Sequence, residues 1–144
     1  MRRWLLRGFL IVMAGFVAIQ LVPYGRSHTN PAVTAEPTWD SAQTRALAVR
    51  ACFDCHSNET EWPWYTNIAP VSWLTQRHVT EGRSKLNFST WGSGNQEAEG
   101  VDRQISSGAM PPWDYLLLHP DARLSYEEKA QLISGLQATL GSGG

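Results

Sequence analysis

The two cysteines of this 144-residue chain stand beside a histidine in one short segment, Cys52-Phe-Asp-Cys55-His56. Residues three apart lie on one face of a helix, so both thiols can reach the two vinyl groups of one porphyrin and form thioethers with them. His56 follows directly and can bind the iron as its proximal ligand. The spacing therefore predicts one covalently bound haem c, attached through Cys52 and Cys55 with His56 on the metal.

Three other uses of such a cysteine pair fit the sequence less well. A thioredoxin-like pair opens a helix after a strand, whereas this pair closes a predicted helix and no strand pattern precedes it. A zinc site needs a fourth ligand and usually a second closely spaced pair, which the sequence lacks. A disulfide between residues three apart would enclose a very small loop and constrain little. The sequence therefore favours haem attachment.

Three residues compete for the sixth position on the iron. Met110 lies in a loop before the last predicted helix, and a thioether ligand raises the reduction potential, as suits an electron carrier. Methionine also commonly fills gaps in a core. His119, next to Pro120, and His78, on a predicted helix, are the rivals. We predict Met110 as the sixth ligand, with His119 and His78 open as alternatives.

Other residue types could complete a haem pocket, or could have an ordinary structural role. Six aromatic residues could cover the porphyrin or simply pack in a core: Trp62, Trp64, Tyr65, Trp73, Trp91 and Trp113. A carbonyl in a loop shaped by Pro63 or Pro70 could accept the Nδ1 proton of His56. Three cations could pair with haem propionates or be plain surface charges: Arg77, Arg83 and Lys85.

The N-terminal residues differ from the rest of the chain in charge and hydropathy. The whole chain has a formal net charge of −1 and a pI of about 6.4, which gives no case for nucleic-acid binding. Residues 1–26 carry four arginines and no acidic residue, and residues 4–22 are apolar apart from Arg7 and Gln20. As a helix, this stretch would span about 28 Å, close to the hydrocarbon thickness of a bilayer.

We therefore expect an N-terminal transmembrane helix, with the basic end in the cytoplasm and the rest of the chain exported. A cleaved signal peptide, with its cleavage site near residues 33–35, is the alternative. The predicted organisation is a membrane anchor at 1–25, a Pro- and Ser-containing linker at 26–38, and a haem-binding domain at 39–141. The predicted location is the bacterial inner membrane, single-pass, with the haem domain in the periplasm.

Helical patterns dominate the predicted domain, and alternating strand patterns are nearly absent. The predicted helices cover 41–52 after an N-cap at Thr38 or Asp40, then 71–82, 96–106, and 125–141 after a capping box of Ser125 and Glu128. Long connections separate them, at 58–69, 83–95 and 109–124. Loops of this length in a small domain predict that a cofactor organises them.

Five further segments carry a resemblance to a known family: 26–33 (Arg-Ser-His-Thr-Asn-Pro-Ala-Val), 61–65 (Glu-Trp-Pro-Trp-Tyr), 68–73 (Ile-Ala-Pro-Val-Ser-Trp), 108–113 (Gly-Ala-Met-Pro-Pro-Trp) and 115–120 (Tyr-Leu-Leu-Leu-His-Pro). With the motif at 52–56, they resemble the membrane-anchored monohaem c-type cytochromes of the bacterial haem-binding domain family. The Met110-Pro111 step is also similar to the distal ligand loop of small cytochromes c. The resemblance implies an all-α cytochrome c-like fold in the periplasm and identifies no physiological partner.

These observations together predict a small all-α domain around a covalently attached haem, preceded by a transmembrane helix. The predicted function is single-electron transfer by a membrane-tethered periplasmic cytochrome that is not itself an enzyme. Its expected partners are the membrane, through the anchor, and unidentified redox proteins, with no nucleic acid. The alternative is a five-coordinate haem enzyme or gas sensor, such as a peroxidase, with His78 or His119 as its acid–base residue.

Overall fold

The computed structural model describes residues 1–93 and 100–141, and its regular structure is helical. The α-helices are α1 (Arg2–Ile19), α2 (Ala42–Ala51), α3 (Phe53–His56), α4 (Val71–Lys85), α5 (Val101–Ser106) and α6 (Tyr126–Gly141). Short 3-10 helices cover Trp64–Asn67, Tyr115–Leu117 and Pro120–Ala122. The only β pairing within these described ranges is an isolated bridge between Ala35 and Thr90. The all-α part of the predicted fold class therefore agrees with the structure.

The N-terminal part of that prediction is wrong. Within residues 1–93 and 100–141, no helix is both long enough and apolar enough to cross a membrane. The 18 residues of α1 include Arg2, Arg3 and Arg7, so the longest uncharged run of the helix, residues 8–19, is well short of the roughly 20 apolar residues that span a bilayer. The single-pass inner-membrane location, with its periplasmic haem domain, rested on this transmembrane helix and is corrected with it.

Local capping signals explain where the helices begin. The Ser41 hydroxyl, and not Thr38 or Asp40, caps α2 by accepting a hydrogen bond from the Thr44 N–H at 3.1 Å. The predicted capping box of α6 is confirmed. The Glu128 N–H donates to Ser125 Oγ at 3.2 Å, and the Ser125 N–H donates to the Glu128 carboxylate at 2.8 Å.

Two predicted helix boundaries need comment. The helix predicted at 71–82 continues to Lys85, because Gly82 packs in the helix interior and does not end it. For the helix predicted at 96–106, the first four positions lie outside the described residues, and α5 is described from Val101 to Ser106.

The hydrophobic core lies between α2, α5 and α6, and it reaches the loop that follows α4. Its buried residues are Leu47, Ala48, Phe53, Leu86, Phe88, Ile105, Leu132 and Leu136. The rings of Phe53 and Phe88 stack with their centroids 5.6 Å apart, and Cys52 packs against the same cluster. The core therefore supports the segment that carries both cysteines from one side.

The segment predicted as a linker makes hydrogen bonds to the helical part of the chain. The Asn30 side chain donates to the carbonyl of Thr60 at 2.9 Å, and the Thr34 N–H donates to the carbonyl of Ser89 at 2.9 Å. These contacts place residues from 26–38 against the loops that follow α3 and α4. The domain boundaries at 25, 38 and 141 stay predictions.

Candidate functional site

The predicted haem-attachment residues lie together in one tight turn. The Cys52 N–H donates to the carbonyl of Ala48 at 2.8 Å, which completes the last turn of α2. The Cys52 carbonyl then accepts from the N–H groups of Cys55 at 3.1 Å and His56 at 2.9 Å, which closes the single turn of α3. We call Cys52–His56 the attachment turn.

The two thiols of the attachment turn are free and strongly desolvated. They form no disulfide, and burial raises the pKa of each thiol to about 12, with the charge of Asp54 also raising that of Cys55. Both sulfurs are therefore protonated at neutral pH. This opposes the thioredoxin-like reading, because reactive cysteines of that class have a lowered pKa.

The imidazole of His56 is held in one tautomer. Its Nδ1 lies 3.0 Å from the carbonyl oxygen of Leu86, and a carbonyl can only accept, so Nδ1 carries the proton. Burial lowers the pKa of His56 and keeps the ring neutral. The lone pair of Nε2 is therefore available to a metal, and the Nδ1 hydrogen bond increases the basicity of the ring. The acceptor follows α4, so the predicted acceptor near Pro63 or Pro70 is wrong.

A glycine lets α4 approach the attachment turn closely. Gly82 is buried and faces the backbone of Cys55. A β-carbon at position 82 would lie 2.9 Å from the carbonyl carbon of Cys55 and closer still to its oxygen. The absence of a side chain at 82 is what allows α3 and α4 to pack at this distance, and it brings Leu86 within reach of His56.

Arg83 fastens two stretches of chain to α4. Its guanidinium donates to the carbonyls of Ser57 at 2.7 Å and Thr29 at 2.8 Å, and to side-chain oxygens of Asn30 and Thr60, each at 2.9 Å. Four of its five N–H donors are thereby used. Desolvation lowers the pKa of Arg83. Arg83 is therefore a structural cation, and the suggestion that it pairs with a haem propionate does not fit its hydrogen bonds.

A small cleft of about 70 Å³ opens beside Cys55, well below the roughly 300–1,000 Å³ of typical cofactor pockets. Its apolar lining is Pro63, Val71, Leu74, Val79 and Leu118. Its polar lining is Asp54, Thr60, Glu61, Tyr65, Thr66, Thr75, His78, Asp114, Tyr115 and His119. The cleft thus combines an apolar wall with several hydrogen-bonding groups next to one of the two attachment cysteines.

The aromatic residues predicted to cover a porphyrin are dispersed. Of the six, Tyr65 lines the cleft. Trp91 packs against the hydrophobic core, while Trp64 and Trp113 are each 75% exposed. Aromatic content alone therefore did not identify the residues at the site.

His119, one rival for the sixth position, has both ring nitrogens occupied. Its Nδ1 donates to the carbonyl of Tyr115 at 2.9 Å, so its Nε2 accepts from the hydroxyl of Tyr65 at 2.9 Å. The ring also stacks on that of Tyr115, with centroids 3.9 Å apart. To bind a metal, His119 would have to give up the hydrogen bond from Tyr65.

The two remaining candidates lie in different places. His78 lines the cleft, with its Nε2 3.6 Å from the carboxylate of Asp114. Met110 is outside the lining of the cleft, and its side chain is 39% exposed. The Met110 N–H donates to the carbonyl of Gln104 at 3.0 Å. The structure thus gathers Cys55, His78 and His119 around the cleft, and Met110 as sixth ligand stays a prediction.

One strong contact at the site involves residues that the sequence analysis did not single out. The hydroxyl of Tyr115 donates to the carboxylate of Asp54 at 2.7 Å, and the second oxygen of Asp54 accepts from the Glu61 N–H at 3.0 Å. Burial and the neighbouring carboxylate raise the pKa of Tyr115. Tyr115 stands four residues before His119, the spacing of neighbours on a helical turn, but this spacing gives no indication of the bond to Asp54.

Comparison with known proteins gives one match. A family model described as a haem-binding domain matches residues 14–138, which include the attachment turn and all the residues that line the cleft. No curated protein and no solved structure matches the chain.

Proposed function

The chain belongs to the haem-binding domain family, and from this premise we propose that it is a monohaem c-type cytochrome that transfers single electrons. The observation that carries the proposal is the tautomer of His56. Its proton is on Nδ1, hydrogen-bonded to Leu86 at 3.0 Å, which leaves the lone pair of the neutral ring on Nε2, the atom that would ligate iron. The two thiols stand in the same turn, where the spacing suits thioether bonds to one porphyrin.

The donor set of the attachment turn fits a covalently held haem. Each protonated thiol, on Cys52 and on Cys55, can add across one vinyl group, the sulfur bonding to one vinyl carbon and the hydrogen to the other. This addition needs no oxidant. When bound, the haem iron supplies a one-electron redox couple. The role of His56 is to ligate it, and the role of Leu86 is to orient the imidazole and increase its basicity.

Met110 is proposed as the sixth ligand. Support comes from its rivals: the ring nitrogens of His119 are both hydrogen-bonded, and His78 lies next to the carboxylate of Asp114. The thioether of methionine is a soft ligand that favours ferrous iron, which suits an electron carrier. The proposed partners are redox proteins that exchange electrons with this haem.

A five-coordinate haem enzyme or gas sensor is the second candidate. The observation in its favour is that His78 and His119 both line the cleft next to Cys55, and a haem enzyme of this kind would use an acid–base residue close to the haem. Carbon monoxide and cyanide separate the two proposals. A six-coordinate carrier should bind them slowly and weakly, whereas fast and tight binding would favour the enzyme or sensor.

Mass spectrometry tests the covalent attachment. The full chain, expressed with a cytochrome c maturation system, should retain one haem after acid denaturation. The variant C52A/C55A should retain none, while M110A, which leaves the attachment turn intact, should retain the haem. Extraction of the haem from the wild-type protein into acidified organic solvent would show that the cofactor is not covalently bound and would refute the c-type assignment.

A further inference from the structure

We propose that Tyr115 and His119 are positioning residues that hold segment 110–119, with Met110 at its start, against the attachment turn. The proposal rests on the proposed function for its consequence at the iron. The geometry itself depends only on contacts within the chain.

The first anchor of segment 110–119 is on the attachment turn itself. The hydroxyl of Tyr115 donates to Asp54 at 2.7 Å, and Asp54 stands between the two attachment cysteines. A hydrogen bond to a carboxylate is about twice as strong as one between neutral groups. Since the other Asp54 oxygen accepts from the Glu61 N–H, the carboxylate is fixed in direction. Tyr115 is thereby fastened to the turn that would carry the haem.

The second anchor runs through His119. The carbonyl of Tyr115 accepts from the Nδ1 of His119 at 2.9 Å and from the N–H groups of Leu118 and His119, each at 3.2 Å. The other ring nitrogen of His119, Nε2, accepts a hydrogen bond from the hydroxyl of Tyr65 at 2.9 Å. Tyr65 belongs to the 3-10 helix Trp64–Asn67, which packs on α4. Segment 110–119 is thus held from both α3 and α4.

This arrangement assigns each group a defined role. The hydroxyl of Tyr115 donates its proton to the Asp54 carboxylate, and the hydroxyl of Tyr65 donates its proton to Nε2 of His119. Each tyrosine therefore acts as a hydrogen-bond donor. Loss of the Tyr115 hydroxyl removes the link to Asp54 but keeps the ring that stacks on His119. We expect the segment then to open more often, and Met110 to leave the iron more often with it.

The variant Y115F, made in the full haem-loaded chain, tests this inference, with Y126F as the matched control because Tyr126 is 85% exposed. Amide hydrogen exchange at Leu118 and His119 should become about ten- to a hundredfold faster in Y115F, the factor expected from losing a hydrogen bond to a charged group. Carbon monoxide binding to the reduced protein should accelerate by a similar factor. The near-infrared methionine-to-iron band should weaken. Y126F should match the wild type in all three measurements.

A double-mutant cycle tests whether the two ends of the bond act together. D54A and Y115F should each accelerate carbon monoxide binding, and the double variant should be no faster than the more affected single variant. If the two substitutions instead multiplied each other's effect on the carbon monoxide binding rate, the proposal would be overturned. Amide exchange rates in Y115F equal to those in Y126F would also overturn it. Faster exchange with an unchanged near-infrared band and carbon monoxide rate would also overturn it, because the contact would then be purely structural.

Failure of the proposed function would look different from failure of this inference. Without covalent haem in the wild-type protein, the c-type assignment fails, and the amide exchange of Y115F against Y126F still decides whether Tyr115 holds the segment. With covalent haem and no methionine-to-iron band in the wild type, Met110 is not the ligand, and the positioning of Met110 at the iron is refuted.

Discussion

Replacing Gly82 by alanine tests how closely α4 must pack on the attachment turn. The new β-carbon would lie 2.9 Å from the carbonyl carbon of Cys55 and 3.1 Å from its β-carbon. The carbonyl carbon belongs to the backbone, which cannot swing aside as the end of a flexible side chain can. The strain can be relieved only by moving α4 away from α3, which would also draw Leu86 away from His56.

Two opposing terms set the expected size of the effect. Overpacking of this kind costs up to about 3 kcal/mol. Alanine is more favourable than glycine in a helix interior by about 1 kcal/mol. We therefore expect the free energy of unfolding of G82A to fall by about 2 kcal/mol, the difference between these terms.

Urea unfolding followed by far-ultraviolet circular dichroism measures this change. The matched control is G15A, because Gly15 lies within α1 and a β-carbon there meets no heavy atom within 4 Å. G15A should be no less stable than the wild type, because alanine is favoured over glycine in a helix interior by about 1 kcal/mol and no clash opposes that gain. In the haem-loaded protein, G82A should also lower the ligand basicity of His56 and raise the reduction potential. Equal stability of G82A and the wild type would refute the argument that close packing at this point requires glycine.

Three further predictions concern separate parts of the molecule. M110A should abolish the near-infrared methionine-to-iron band of the oxidised haem-loaded protein and lower its reduction potential, as measured by redox titration. R83M should lower the free energy of unfolding by about 2–3 kcal/mol because it removes four hydrogen bonds from a partly buried cation. R77M should not lower it measurably, because the ion pair that it removes is exposed. The Arg45 guanidinium lowers the pKa of Glu36 from its usual 4.5, so this pair stabilises the fold above pH 4.5 and its contribution is lost as the pH falls through the folded-state pKa. E36Q should therefore cost about 0.5–1 kcal/mol at neutral pH and progressively less in acid, as urea titrations at several pH values would show.

Local signals in the sequence are sufficient to predict where much of the helical structure lies. The capping box at Ser125 and Glu128 acts within four residues, so its chemistry could be recognised without tertiary information. The turn that joins Cys52, Cys55 and His56 is equally local. These elements were predicted because the groups that bond to one another are also neighbours in the chain.

Contacts between distant residues could not be predicted in this way. The Asp54–Tyr115 hydrogen bond joins positions that are 61 residues apart, and nothing in the sequence around either residue indicates that the two are in contact. The same holds for Arg83, which a sequence presents only as a charged residue near a helix end. The loops at 58–69 and 109–124 are organised by such contacts, as well as by short 3-10 helices.

The error at the N-terminus has a different cause. By its length alone, the largely apolar run at 4–22 predicts a membrane span. The helix begins at Arg2 and so contains Arg2, Arg3 and Arg7, while its longest uncharged run is limited to residues 8–19. Where a helix begins therefore decides whether such a run is apolar enough to span a membrane.

The hydrogen bond between His56 and Leu86 spans 30 residues and makes the tautomer of the proposed iron ligand a product of tertiary folding. A peptide that ends before α4 would keep the cysteine spacing but would have no acceptor to select the tautomer of the imidazole. Closing a loop of this length costs conformational entropy, which packing around Gly82 must offset before the acceptor is in place. The five-residue motif is therefore not sufficient alone. Grafted onto another chain, it would provide the two thiols and the histidine, but not the hydrogen bond that sets the tautomer and the basicity of the imidazole.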